Sequence, residues 1–260
     1  MDKFAKTKQD ILADLGVVDY SPKGTVDHEI IPLINLVNAN PHLVTTSSCA
    51  GRVSVFIEGS KSGSKLKVGG KGEGGHWLFF THDPRELVPQ WRRGLDDYEH
   101  AAPVGADEPR RYVLYKFEPF ILHVKCRSHE AAKRLFSLAL FCGFRESGIG
   151  SNDNVAIRIS MRIDAPIGYL EGTKIHKIAP PEYLAELDKM ALELFQKNHS
   201  RIAQLTAHLA EFDVPPPKPF EPKEARAARK RAEGLEARSQ KKQEPAAEDA
   251  DPADLFTPLV

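Results

Sequence analysis

The sequence predicts an α+β fold: a mixed sheet of about six strands with helices packed on one side, and no Rossmann core. Three observations carry this. Val155, Ile157, Ile159, Met161 and Ile163 alternate with Ala156, Arg158, Ser160 and Arg162, the period of a half-buried strand over 154–164. Pro180-Pro181 opens a long helix reaching about Phe212, with Leu184, Leu187, Ala191, Leu194, Ile202, Leu205 and Leu209 on one stripe. Gly70, Gly72 and Gly75 match GxGxxG, but the aromatic strand Trp77-Leu78-Phe79-Phe80 follows. A dinucleotide fingerprint needs a helix there.

The elements follow in order. Phe4, Ile11, Leu12 and Leu15 give a short amphipathic helix over 3–15, stopped by Gly16. Asp19 to Gly24 is turn chemistry. A second helix fits 26–39, and Pro32 makes it start late or bend. Leu43-Val44 and Val53 to Ile57 flank Thr45 to Arg52 and predict a hairpin turning at Ala50-Gly51. The glycine-rich stretch from Gly59 to Gly75 is a hairpin loop or a flap over a ligand. Asp83-Pro84-Arg85-Glu86 starts a short helix, and 100–110 is a loop. Tyr112 to Cys126 is β-rich with a break at Glu118-Pro119. Ser128 caps a helix that Gly143 ends.

The composition divides the chain into a single α+β domain, 1–214, and a proline-led charged tail, 215–260. Residues 221–260 are mostly Ala, Glu, Lys and Arg, which predicts a disordered or transiently helical tail. Its basic cluster, Lys223 to Arg231, is a solvated segment or a weak RNA tether. The formal net charge is zero, so bulk charge argues for no nucleic-acid partner. Three cysteines without a CxxC pair fit a reducing compartment. No run reaches the ~20 apolar residues of a membrane span, and a cytoplasmic protein is expected. No metal site is expected: Cys126 and His129 have CxxH spacing without a second pair.

The chemistry concentrates at Thr45 to Arg52, where hydroxyls, a thiol and a guanidinium surround Gly51, whose backbone lets a ligand approach closely. A polar hairpin with Cys49 as a small buried group also fits. Alternation places Arg52 and Ser54 on one strand face, and His123, Lys125, Arg158, Ser160 and Arg162 on the matching faces of others. That is either a solvated surface or an open basic face for phosphates. Trp77, Phe79 and Tyr115 are core residues or stacking groups for a base. Cys49 with a distant histidine leaves a thiol enzyme open as a third reading.

Six blocks taken together resemble the tRNA wybutosine-synthesizing protein 3 family. They are Asp19–Asp27, Thr45–Arg52, Gly75–Phe79 with His82, Lys116–Arg127, Gly143–Ile149 and Val155–Arg158, within roughly residues 3–200. Ala50 stands where that family often has Ser, and Glu146 where it has Asn. The resemblance implies an S-adenosylmethionine-dependent methyltransferase with an α+β, non-Rossmann fold. Its substrate would be 7-(3-amino-3-carboxypropyl)-4-demethylwyosine, beside the anticodon of tRNA(Phe), methylated on the N4 ring nitrogen. On that basis Ser47, Ser48, Cys49, Gly51, Arg52 and Trp77 are assigned to cofactor or base. Arg52, Lys125, Arg127, Arg158 and Arg162 are assigned to RNA phosphate, and His123 is the candidate base. A monomer is expected. The alternative is a non-catalytic RNA-binding module using the same face.

Overall fold

A computed structural model describes residues 2–14, 26–59, 75–104, 110–214 and 222–243, without the side chains of 100–104 and 237–243. The turn at Asp19 to Gly24 and nearly all of the glycine-rich stretch lie outside the described residues.

The α+β expectation is met. Two 15-residue strands, β1 (Leu43–Ile57) and β4 (Tyr112–Cys126), pair along their whole length and form the spine of the sheet. β2 (His76–Thr81) adds to the outer half of β1. On its far side β4 has two partners. Residues 112–117 pair with β7 (Ile163–Lys177), which carries β3 (Glu99–Val104) at its edge. Residues 121–125 pair with β6 (Asn154–Arg158), flanked by the short β5 (Gly148–Ile149). Every described pairing is antiparallel, where a mixed sheet was expected.

Five local expectations are corrected. The hairpin at Ala50-Gly51 is one continuous strand; Gly51, at φ +102°, makes an irregularity rather than a reversal. The break at Glu118-Pro119 is likewise absent, and β4 runs through it. Proline lacks a donor and is tolerated inside a sheet only where no ladder bond is needed; here the far-side partner changes from β7 to β6. The strand over 154–164 is divided, because residues 159–162 leave the sheet between β6 and β7. The 100–110 loop contains β3, and the helix at Asp83 is a 3-10 turn, Pro84–Glu86, capped by Asp83 through the Arg85 N–H at 2.8 Å.

The helices are α1 (Lys3–Asp14), α2 (Ile31–Ala39), α3 (Arg93–Asp97), α4 (His129–Phe141) and α5 (Pro181–Leu209). Pro32 lies in the first turn of α2, so the helix starts late, after a 3-10 turn at His28–Ile30. Ser128 caps α4 by accepting from Ala131 N at 3.2 Å. Two apolar cores lie under the sheet. One gathers α2, α4, the inner halves of β1 and β4, and Ile202, Leu205 and Leu209 of α5. The other gathers the outer halves of β1 and β4 with β7, Trp91, and Leu184, Leu187, Ala191 and Phe195 of α5. Asn198, wholly buried, lies on α5 between the two groups.

Residues 215–260 form a second compact unit. Its described part is a helix, α6 (Lys223–Gln243), where composition predicts a disordered or transiently helical tail. Ala, Glu, Lys and Arg are strong helix formers, and the side chains of 223–236 are exposed.

Candidate functional site

The polar residues of β1 and β4 meet across the pairing. Ser47 is opposite His123, Cys49 opposite Ile121, and Arg52 opposite Glu118. Opposed residues of an antiparallel pair share a face, and this face is the one away from the core residues Ala50, Phe120, Leu122 and Val124. Simple alternation would put Ser47, Cys49 and Gly51 on one side and Arg52 on the other. The irregularity at Gly51 shifts the phase, so that Arg52 joins Cys49. Pro119, opposite Gly51, does the same for Glu118 and Ile121. Ser48 pairs with Leu122 and thus belongs to the helix side.

Two buried side chains hold the irregular backbone. Asn198 accepts from Phe120 N at 2.9 Å and donates to Ala50 O at 2.7 Å. Asp27 accepts from Ala50 N at 2.8 Å. Residues 50 and 120 therefore find partners outside the ladder, and buried backbone groups demand such partners. A Cβ on Gly51 would come within 3.0 Å of Asn198 Nδ2 and 3.1 Å of Glu118 O, so the position fits only glycine.

Arg52 donates through Nε to Glu118 Oε2 at 2.7 Å and lies 5.3 Å from the Trp77 ring centroid. Trp77 is in edge contact with Phe56 and 6.0 Å from Phe80. Phe80 is 38% exposed, and it pairs with Ser54 on the face of Arg52. These rings, rather than the expected trio, form the aromatic patch beside Arg52. Phe79 and Tyr115 belong to the second core; Tyr115 donates to Asp188 at 3.1 Å, and burial pushes its phenol far up. Neither is a stacking group on the open face.

His123 Nδ1 is 2.7 Å from Ser47 Oγ, and Nε2 is 3.4 Å from Arg158 Nη2. A guanidinium only donates, so Nε2 accepts and the proton sits on Nδ1, directed at Ser47. Burial, and then the Arg158 charge, hold the imidazole pKa below its ordinary 6.5. The unfolded chain thus binds the extra proton more readily, and stability contributed by neutral His123 is lost as pH falls below the unfolded value. His123→Asn is expected to flatten the loss of stability below about pH 6.5, read from urea melts across that range. An unchanged acid limb would show that other groups govern it.

The other cations assigned to phosphate are mostly paired. Arg162 lies 3.9 Å from Glu146 and Lys125 donates to Asn152 O. Lys116, which was not assigned, bonds Asp164 at 2.9 Å. Arg127 is at the end of β4, bonded to Asp2 at 2.8 Å and stacked over Phe4. Ser54 is fully buried, and Ser160 and Arg162 lie outside the strands. The face accordingly carries both signs of charge instead of a uniformly basic surface. Where β6 and β7 part, a cleft of about 290 Å³ opens, lined by Lys116, Glu118, Pro119, Glu146, Arg158 and Arg162. A larger hollow of about 550 Å³ lies between α4 and the end of α5 and takes no residue from the strands.

Sequence reasoning missed Asp27, His82, Phe80 and Asn198. Asp27 and His82 stand within the resembling blocks but were given no role. Both come to Cys49: the carboxylate, thiol and imidazole ligand atoms lie within 4.8 Å of one another. Burial raises the Cys49 thiol pKa, which works against the thiolate a nucleophile needs.

The sequence profile of the family described as methyltransferase TYW3 matches residues 6–211. This chain belongs to the methyltransferase TYW3 family. It is 43% identical to tRNA wybutosine-synthesizing protein 3 of Saccharomyces cerevisiae, over 92% of the chain and 96% of that protein. It is 40% identical to the Schizosaccharomyces pombe protein of the same name, over 79% of the chain and 86% of that protein. Among solved structures, the PH1069 protein of Pyrococcus horikoshii OT3 superposes with a TM-score of 0.62 at 26% identity, covering 81% of this chain and 95% of that one. Membership in the TYW3 family makes the chain a methyltransferase of tRNA wybutosine synthesis.

Proposed function

We propose that the chain uses S-adenosylmethionine to methylate the N4 ring nitrogen of 7-(3-amino-3-carboxypropyl)-4-demethylwyosine in tRNA(Phe), a step of wybutosine synthesis, in the cytoplasm. The names of the two yeast relatives support the pathway. The observation that carries the reading is the strip in which Ser47, Cys49 and Arg52 face His123 and Glu118 across β1 and β4, with the aromatic patch at one end.

The strip fits such reactants. Exposed Phe80 and half-buried Trp77 offer ring faces to a tricyclic base. The cleft at Pro119 has carboxylates for a sulfonium and an ammonium. When bound, S-adenosylmethionine supplies a methyl group already activated on sulfur. The protein's part is therefore alignment and exclusion of water. Arg52, fixed by Glu118 and Trp77, sets a charge at the centre of the strip. Ser47, oriented by His123 Nδ1–H, offers its hydroxyl to the base. Methylation of the ring nitrogen would release its N–H proton, and a base of this chain would have to take it. As its acceptor, neutral His123 must first release Arg158 from Nε2.

The test is single-turnover transfer of labelled methyl to demethylwyosine-containing tRNA, with calorimetry of S-adenosylmethionine. Transfer to the ring nitrogen is expected. Binding of tRNA with no transfer would instead favour an RNA-binding module. For the RNA contacts, Arg158→Ala with Arg162→Ala is expected to weaken tRNA binding and lower the slope of log affinity against log salt by about 1–2, since each phosphate contact contributes about 0.7–0.9. An identical slope would remove both residues from the phosphate interface.

A further inference from the structure

The group Asp27, Cys49 and His82 sits beside the strip, and the reading of the strip assigns it no joint role. Its members come from three segments: the residue before the first 3-10 turn, β1, and the residue after β2. Among the described residues, no strand pairs with the inner half of β1 on this edge, because β2 reaches only to Val53. Side chains cover that edge instead: Lys8 donates to Leu43 O at 2.8 Å, and Asn38 accepts from Thr45 N at 2.9 Å. Asp27 continues the series at Ala50, and Cys49 and His82 close around it.

The geometry points to a binding site for a thiophilic divalent cation of the Zn²⁺ class, with Asp27 Oδ1, Cys49 Sγ and His82 Nδ1 as its ligands. Four features support it. Asp27 Oδ1 and His82 Nδ1 are 3.8 Å apart, too far for a hydrogen bond. Two donors about 2.0–2.1 Å from a tetrahedral Zn²⁺ are roughly 3.4 Å apart, so this pair needs to close only by tenths of an ångström, and the Cys49 sulfur lies within 4.8 Å of both. The carboxylate's other oxygen, Oδ2, is fixed by Ala50 N at 2.8 Å, the kind of outer contact that orients a metal-bound carboxylate. One sulfur, one nitrogen and one oxygen form a borderline donor set, which suits zinc and excludes magnesium and calcium, whose ligands are oxygens.

Three protein ligands leave a fourth position, the pattern of zinc sites that keep a water or a substrate atom. Cys49 shares its face with Ser47 and Arg52, so that position adjoins the strip. The ion would also tie the start of α2 and the end of β2 to the bare edge of β1. The site stands independently of the methyl donor and of the base.

The experiment uses the full chain, stripped with a chelator and dialysed, then titrated with Co²⁺ and with Zn²⁺ near neutral pH. One equivalent is expected to bind, with a near-ultraviolet thiolate-to-cobalt charge-transfer band and tetrahedral visible bands, both bleached by Zn²⁺. Cys49→Ser should abolish the charge-transfer band. His82→Ala and Asp27→Asn should each weaken binding more than about 100-fold, since even an outer-shell partner is worth roughly 10–100-fold. Circular dichroism and melting confirm that each variant is folded. A folded wild-type protein that takes up neither ion stoichiometrically overturns the site, whatever becomes of the variants. So does a charge-transfer band that survives Cys49→Ser. Because the spectrum is read without methyl donor or tRNA, these outcomes are separate from failure of methyl transfer.

Discussion

Asn198→Ala is expected to cost about 3–5 kcal/mol of folding stability, the largest effect of any polar substitution in the domain. The side chain is wholly buried and makes two bonds, to Phe120 N and to Ala50 O. Truncation leaves a donor and an acceptor buried without partners, at about 1–3 kcal/mol each, and adds a small void. Asn198→Asp is the sharper variant. It keeps an acceptor for Phe120 N but sets a carboxylate oxygen against Ala50 O, at a wholly buried position. It should fare no better than Ala. Urea unfolding of the three proteins gives the answer, and a loss under about 1 kcal/mol for Asn198→Ala would mean that backbone or water replaces both bonds. The same substitution loosens the seat of Gly51, so methyl transfer should fall even where the variant is folded.

Arg52→Ala is expected to reduce single-turnover methyl transfer more than about 100-fold, the scale of losing one pre-set electrostatic contact in an active site. Two effects combine. The strip loses its central fixed charge, and Glu118, 45% exposed, is left facing the reactants with no counter-ion. Cys49→Ala should keep substantial transfer, since a methyl on a sulfonium needs no covalent enzyme intermediate. The wild-type comparison is made with tRNA and donor saturating, and folding is checked by melting. Folded but inactive Cys49→Ala, together with an adduct trapped on Cys49 of the wild-type protein, would replace direct displacement with a thiol mechanism. Arg52→Ala at wild-type rate would remove the arginine from the site.

The long elements were legible because their patterns are long. The stripe of α5 and the β-rich run of β4 each repeat one signal over a dozen residues or more, and the missing helix after the glycines excluded a Rossmann core. The local errors share a cause. Ala50-Gly51 reads as a reversal because small residues make turns, yet the same positive φ serves a strand irregularity when a partner strand runs alongside. Whether one runs alongside is decided 68 residues away, at Pro119. Alternation continues through Ile159 and Met161 although the chain leaves the sheet there, since side-chain period records what faces apolar surface and not which backbone is bonded. β7 went unrecognised because its glycines, proline and charges dilute its pattern. In the site, the Ser47–Arg52 stretch was legible as chemistry. Asp27, His82 and Asn198 were not, because a lone acid, imidazole or amide carries no periodic signal; only the tertiary fold shows what each one meets.

The two cores under the sheet have a mechanical consequence. β1, β4 and α5 each run through both, so neither can melt while the other stays intact without breaking a strand or a helix in its middle. Residues 1–214 should therefore lose structure in one step. The break in apolar packing between the cores falls at Asn198, directly beneath Gly51 and Pro119. Slow hydrogen exchange at the amides of Phe120 and Ala50, as late as that of the deepest core, would show that polar clamping at this seam resists opening as firmly as oil does elsewhere.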